Sequence, residues 1–227
     1  MTAVVRQRAK KQPAEIRREE VLDAAVRVFA RESFRGAGTA EIAREAGIAE
    51  PTIYRHFESK RDLYLCALDR SCSVVRAAFR GIAESNDDAL TTIIEMVRWY
   101  GQSIEQDPDY LRLRMRAGSE TNDDEVREQL ARAYQELIGL VSDVVRKGQE
   151  QGVFKKHVPV QGAAWMFMAV GQIADLTKLL GMEGSETAQR FADMGTLFWE
   201  MLIEPGRLAE LMPALQATLA SMHNSGR

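Results

Sequence analysis

The residues of this chain with the most chemistry to offer lie together between positions 39 and 60, in TAEIAREAGIAEPTIYRHFESK. Ile42, Ala43 and Ala46 make one apolar helical face, Gly47 tolerates positive φ where a helix must stop, and Ile48 returns toward a core. A second helix is expected to carry Ile53 and Phe57 inward at i, i+4. That leaves Glu50, Thr52, Tyr54, Arg55 and His56 for its other faces, a polar and aromatic surface. Hydroxyl and ammonium groups bond phosphate oxygens whatever the base sequence, and an arginine can grip guanine O6 and N7 with two bonds. Two short helices joined by a tight turn, with such a surface outward, form a pattern that reads DNA.

Catalytic chemistry is not in view. There is no nucleophile elbow, phosphate loop or paired-carboxylate motif, and the three histidines, His56, His157 and His223, are scattered. Cys66 and Cys72 stand without a His or acidic cluster at ligand spacing, so they read as reduced, packed thiols. No metal, no cofactor and no enzyme activity are expected. The formal net charge of −3 hides an uneven distribution. Residues 1–61 hold 13 Lys/Arg against 9 Asp/Glu, an excess of +4, while the remainder holds 17 against 24, or −7. The basic quarter is the one with the DNA-reading pattern. The start, MTAVVRQRAKK, has no apolar segment of a secretory leader, and the longest apolar run, residues 163–170, is far short of the ~18 needed to span a bilayer. A cytoplasmic protein with no membrane partner is expected.

The elements that must position this surface follow from periodicity. Residues 1–13 carry Arg6, Arg8, Lys10 and Lys11 without an acid and read as a disordered basic arm, either lying in a minor groove or merely solvated. Over 14–31, Leu22, Ala25, Val26 and Phe29 recur at i, i+3, i+4, i+7, widened by Val21 and Val28, which marks a supporting helix. Gly38 is the expected N-cap of the next helix. From residue 61 a further helix, with Leu63, Ala67, Val74 and Phe79 apolar, runs to about 84 without a Pro, Gly or Ser-rich linker. Helices are then expected over 89–106, 108–117, 122–151, 159–180 and 186–202, and a weaker one over 207–222. In 108–117, Arg112, Arg114 and Arg116 alternate with Leu111, Leu113 and Met115, a strand-like period in a segment that Asp-Pro nevertheless starts as a helix. The fold class is all-α, with a DNA-reading domain over 14–61 and a larger helical domain over 62–227.

The runs VLDAAVRVFA, TAEIAREAGI and PTIYRHFESKRDLY resemble the DNA-binding domain of the TetR (tetracycline-repressor-like) family of bacterial transcriptional regulators, whose T-[LI]-Y-x-H-F-x-[SN]-K signature is matched. The likeness covers about residues 14–65. Two departures stand at helix starts: Gly38 where the family has Ser or Thr, and Ala49 where it commonly has a capping Ser, a loss of about 1 kcal/mol at an N-cap. The resemblance implies that Thr52, Tyr54, His56 and Lys60 contact phosphates of double-stranded DNA, with Thr39 at the edge of that surface, while Glu50, Pro51 and Arg55 sit where bases are read. Glu50 either accepts from a cytosine amine or faces its own helix N-terminus, and His56 has a packed surface position as its alternative.

The resemblance further implies a second domain that binds a small-molecule effector and pairs as a homodimer. Trp99, Tyr100, Tyr110, Met115, Tyr134, Trp165, Met166 and Phe167 are the candidates to line a pocket for a lipophilic or aromatic compound, plain core being the alternative for each. Residues 163–170 are apolar on all sides and residues 186–202 carry a very wide apolar stripe, so both need a second cover. Two-fold pairing through Ala163, Phe167, Val170, Phe191, Met194, Phe198 and Met201 is expected, against central helices of a large monomer. The whole then reads as a repressor that a ligand releases from a palindromic operator, with an effector-independent architectural DNA-binding protein as the alternative.

Overall fold

The computed structural model of the chain describes residues 14–120, 122–182 and 184–207. The basic arm over 1–13, and the expected tail helix beyond Arg207, lie outside the described residues. The chain packs as two compact units that divide between Arg70 and Ser71. Among the described residues it is all-α, with a single isolated bridge between Phe154 and Ile203 in place of any strand.

In the first unit, α1 (Ala14–Arg31) turns its stripe inward, and Val21, Leu22, Ala25, Val26, Val28 and Phe29 are all buried. The ring of Tyr64 meets Phe29 edge-on at 5.0 Å and Phe34 at 5.1 Å, filling the space where the chain leaves α1. Arg27 and Arg31 of α1 converge on Glu45, the last residue of α2 (Thr39–Glu45). Burial alone raises the Glu45 carboxyl, but bonds and charge from Arg31 and Arg27 outweigh it and hold the group below its usual range. Gly47, at φ +66°, closes α2: its N–H reaches Arg44 O at 3.2 Å and the Ile48 N–H reaches Ala43 O at 2.9 Å, the paired bonds of a Schellman stop. Helix α3 (Lys60–Ser85) begins in this unit, where Leu63, Tyr64, Ala67 and Leu68 are buried. The sequence places the domain boundary after residue 61, at the start of this helix; the compact units divide further along it because those four side chains complete the first core.

The second unit holds the rest of α3, α4 (Ala89–Gln106), α5 (Pro108–Gly118), α6 (Asp124–Glu150), α7 (Val160–Leu179) and α8 (Ser185–Leu202). Asp88 caps α4 by accepting from the Thr91 N–H at 2.7 Å. Val75, rather than the expected Val74, is the fully inward residue of α3 here, beside Phe79, Ile93, Met96, Val141 and Trp199. The alternation over 108–117 resolves as helix, with Leu111 and Leu113 buried and Arg112 exposed. After α6 the chain folds back so tightly that an added Cβ on Gly148 would stand 2.0 Å from Phe154 Cδ2. Lys155 N–H then bonds Leu202 O at 2.8 Å and Glu204 N–H bonds Val153 O at 3.1 Å, fastening the end of α8.

Candidate functional site

The DNA-reading candidate is built on α2 and the segment after its turn. That segment, Glu50–Arg55, is a 3₁₀ helix rather than the expected α-helix, with Thr52 N–H bonding Ala49 O at 2.8 Å and His56 N–H bonding Ile53 O at 2.9 Å. Ala49 offers no side-chain cap and Pro51 no N–H, and so short a run does not recover the difference by propagation. Phe57 therefore lies beyond the helix, although its N–H still reaches Ile53 O at 3.0 Å and its side chain is buried as expected. Ile48 and Ala46 are half-buried.

The expected contact residues fall on one side of this anchor. Ile53 is the buried residue of the segment; Pro51, Tyr54 and Arg55 are exposed, and Thr39, Glu50, Thr52, His56 and Lys60 are half-buried. The Thr39 hydroxyl donates to Glu50 Oε1 at 2.5 Å, so its contact with Tyr54 at 3.2 Å is one in which the phenol donates. Lys60 Nζ stands 4.8 Å from the centre of the Phe34 ring, a cation–π contact. Arg55 makes no hydrogen bond or ion pair among the described residues. Arg44, with its side chain 80% exposed at the end of α2, adds a cation to this region that the motif alone did not single out.

The second unit contains a partly open cavity of about 280 Å³. Its walls are apolar, chiefly Val75, Phe79, Phe167, Phe191, Phe198 and Trp199, and its polar groups are Tyr100, Arg114, Tyr134, Gln172 and Asp175, with Glu105 exposed at the lining. The Tyr100 hydroxyl donates to both oxygens of Asp175, each at 2.7 Å, and Gln172 Nε2 donates to the Tyr134 hydroxyl at 2.6 Å. Burial pushes the Asp175 carboxyl up, opposed by the Tyr100 bond and the Arg114 charge. Burial likewise pushes the Tyr100 and Tyr134 phenols up.

Of the expected pocket residues, Tyr100, Tyr134 and Phe167 line this cavity and the others do not. Trp99 packs edge-on against Phe79 at 6.2 Å on the core side, while Tyr110 and Met115 are half-buried elsewhere. Trp165 and Met166 are 63% and 45% exposed, because α7 turns only Ala163, Ala164 and their helical neighbours inward. The residues expected at the pairing face differ in burial. Ala163 and Phe198 are buried in the chain's own core, Phe167, Val170, Phe191 and Phe198 line the cavity, and Met194 and Met201 are half-buried. The exposed large apolar residues of this pair of helices are Trp165, Met166, Ile173, Leu176 and Leu179 on α7 and Leu197 on α8. Asp175 is the residue that periodicity missed, and its signal is a lone acid inside a mostly apolar helix.

Among the described residues no group of three His, Cys, Asp or Glu is placed to hold a metal ion. No described helix is long and apolar enough to cross a membrane.

A helix-turn-helix unit and a helical unit with a cavity, with α3 running from the first into the second, make a two-part architecture. Residues 21–66 match the family described as bacterial regulatory proteins, tetR family. The HTH-type transcriptional activator FasR of Mycolicibacterium smegmatis is 33% identical over 106 residues, a match that spans 47% of this chain and 48% of that protein. In fold, the chain is similar to a transcriptional regulator from Saccharomonospora viridis in complex with choline (TM-score 0.73, 22% identity, 84% of this chain and 99% of that one). It is also similar in fold to the regulator FadR from Bacillus subtilis in complex with stearoyl-CoA (TM-score 0.69, 16% identity, 81% and 98%).

Proposed function

We propose that this chain is a homodimeric transcriptional regulator that leaves a palindromic operator when a small apolar ligand fills the cavity of its second unit. The observation that carries the reading is the cavity itself: a partly open, mostly apolar space with a few convergent polar groups. Arg55 reads bases in the major groove, a role supported by its exposure and by its having no partner among the described residues. Glu50 and Pro51 flank that position, and Thr39, Thr52, Tyr54, His56 and Lys60 hold the unit on phosphates. The bond from Thr39 ties Glu50 to α2 in the free protein, so Glu50 orients the reading segment before it meets a base.

A second copy of the chain covers the apolar strip of Trp165, Ile173, Leu176 and Leu197, and the resulting two-fold axis matches two half-sites. Ligand acts by its differential affinity for two conformers, and α3, continuous from Lys60 to Ser85, is the element shared by both units through which the shift passes. On this reading the regulator is a repressor that occupies the operator without ligand and leaves it with ligand.

A thermal-shift screen of hydrophobic compounds, followed by operator titration with each compound that stabilises the protein, tests this reading. At least one compound is expected both to stabilise the protein and to weaken DNA binding. If stabilising compounds leave DNA affinity unchanged, the chain is an effector-independent DNA-binding protein.

A further inference from the structure

The polar end of the cavity contains an acid with too few donors. Asp175 is 1% exposed, and among the described residues its only hydrogen-bond donor is the single proton of Tyr100, shared between both carboxylate oxygens at 2.7 Å. A carboxylate offers about four acceptor sites, so most of this one's capacity is unused. Arg114 does not supply the remainder. Its Nη1 donates to Ser71 O at 2.9 Å, and it forms no ion pair with Asp175 within 4.0 Å. Leaving a buried carboxylate with one neutral donor is unfavourable, and any group that enters with a second donor relieves it. Nearby, Gln172 spends Nε2 on the Tyr134 hydroxyl, which leaves Gln172 Oε1 as a further acceptor without a donor among the described residues.

We infer that Asp175 is the anchor of the effector site and that the effector is an apolar molecule whose head group donates a hydrogen bond, a hydroxyl or a protonated amine, rather than a carboxylate. The inference rests on the reading of this cavity as the effector site. Two carboxyls, Asp175 and Glu105, line it against one guanidinium, Arg114, so acids outnumber bases there. An anionic head brought beside Asp175 meets a buried like charge, whereas a donor head completes the acid's bonds and leaves its body against Phe79, Phe167, Phe198 and Trp199. Tyr100 holds the place of the ligand's donor until it arrives.

The test uses the full chain and four probes with one body: phenylbutanol, phenylbutylammonium, phenylbutanoate and the methyl ether of phenylbutanol. Binding is read by calorimetry and by intrinsic tryptophan fluorescence, to which Trp199 in the cavity wall contributes alongside Trp99 and Trp165. The alcohol and the ammonium are expected to bind at least about tenfold more tightly than the acid and the ether, a difference of the size of one hydrogen bond to a charged group. Asp175→Asn is expected to erase the advantage of the ammonium. Tyr100→Phe is expected to strengthen both donor-headed probes, because the acid has then lost its resident donor. Equal or tighter binding of phenylbutanoate, or an ammonium preference that survives Asp175→Asn, overturns the anchor and leaves the cavity reading standing. Absence of binding by all four overturns the cavity reading and the anchor with it. The ranking on the unmodified protein decides the matter even where a variant folds poorly.

Discussion

Replacing Ile53 by alanine isolates the force that holds the DNA-reading segment. Ile53 is 0% exposed and is the buried residue of a 3₁₀ helix whose N-cap, Ala49, makes no side-chain bond. The change removes three buried carbons, about 2.4 kcal/mol at roughly 0.8 kcal/mol each, and leaves a cavity, so a loss of about 3 kcal/mol falls inside the range for such truncations. Native-state amide exchange reads it directly. Protection at Ile48, Phe57 and the amides of α2 is expected to drop about 100-fold, since each 1.4 kcal/mol is a factor of ten. Amides of α6 belong to the other compact unit and are expected to keep their protection. Operator affinity is expected to fall along with the lost protection, although Ile53 offers no atom to DNA. A loss below about 1 kcal/mol, or unchanged operator binding, refutes the claim that packing of this one side chain positions the reading surface.

Arg55→Ala is expected to relax base preference at one operator position by about 1–3 kcal/mol in competition binding; equal losses on every sequence would make Arg55 a phosphate contact. Gly148→Ala forces a methyl into the ring of Phe154, which is 0% exposed, and is expected to cost about 1–3 kcal/mol in urea unfolding of the second unit. A loss under about 0.5 kcal/mol there would show that the ring moves freely. For Glu45→Gln the pH dependence is the readout. The folded carboxyl is held low, so its contribution is present above the unfolded value near 4.5 and is lost as pH falls through the folded value. The variant is expected to be about 0.5–1 kcal/mol less stable at neutral pH and equal to the parent in acid, and a gap that persists in acid contradicts the ion-pair account.

Much of this molecule is legible in its sequence because its periodicities are strong. The stripe of α1, the stop at Gly47 and the inward pair Ile53 and Phe57 follow from spacing and residue type, and each is where the periodicity places it. The form of the reading segment did not follow, because Ile53 and Phe57 fit an α-helix and a 3₁₀ turn with one extra bond equally well. The cavity was half legible. Tyr100, Tyr134 and Phe167 share it with residues from six helices, and aromatic content alone does not say which face of a mostly apolar helix will turn outward. Trp165 and Met166 went to the surface, and Phe191 and Phe198, expected at a pairing face, went to the cavity wall. Asp175 escaped notice because its partner, Tyr100, lies 75 residues earlier, and only the packing of α7 on α4 makes a lone acid a buried one.

Selection of binding sites from random DNA by the purified chain tests the central claim most directly. The account predicts an inverted repeat whose half-site centres lie about one helical turn, roughly 34–36 Å, or a multiple of it apart, bound by two copies of the chain. Enrichment of single, unpaired sites, or no enrichment at all, would contradict it.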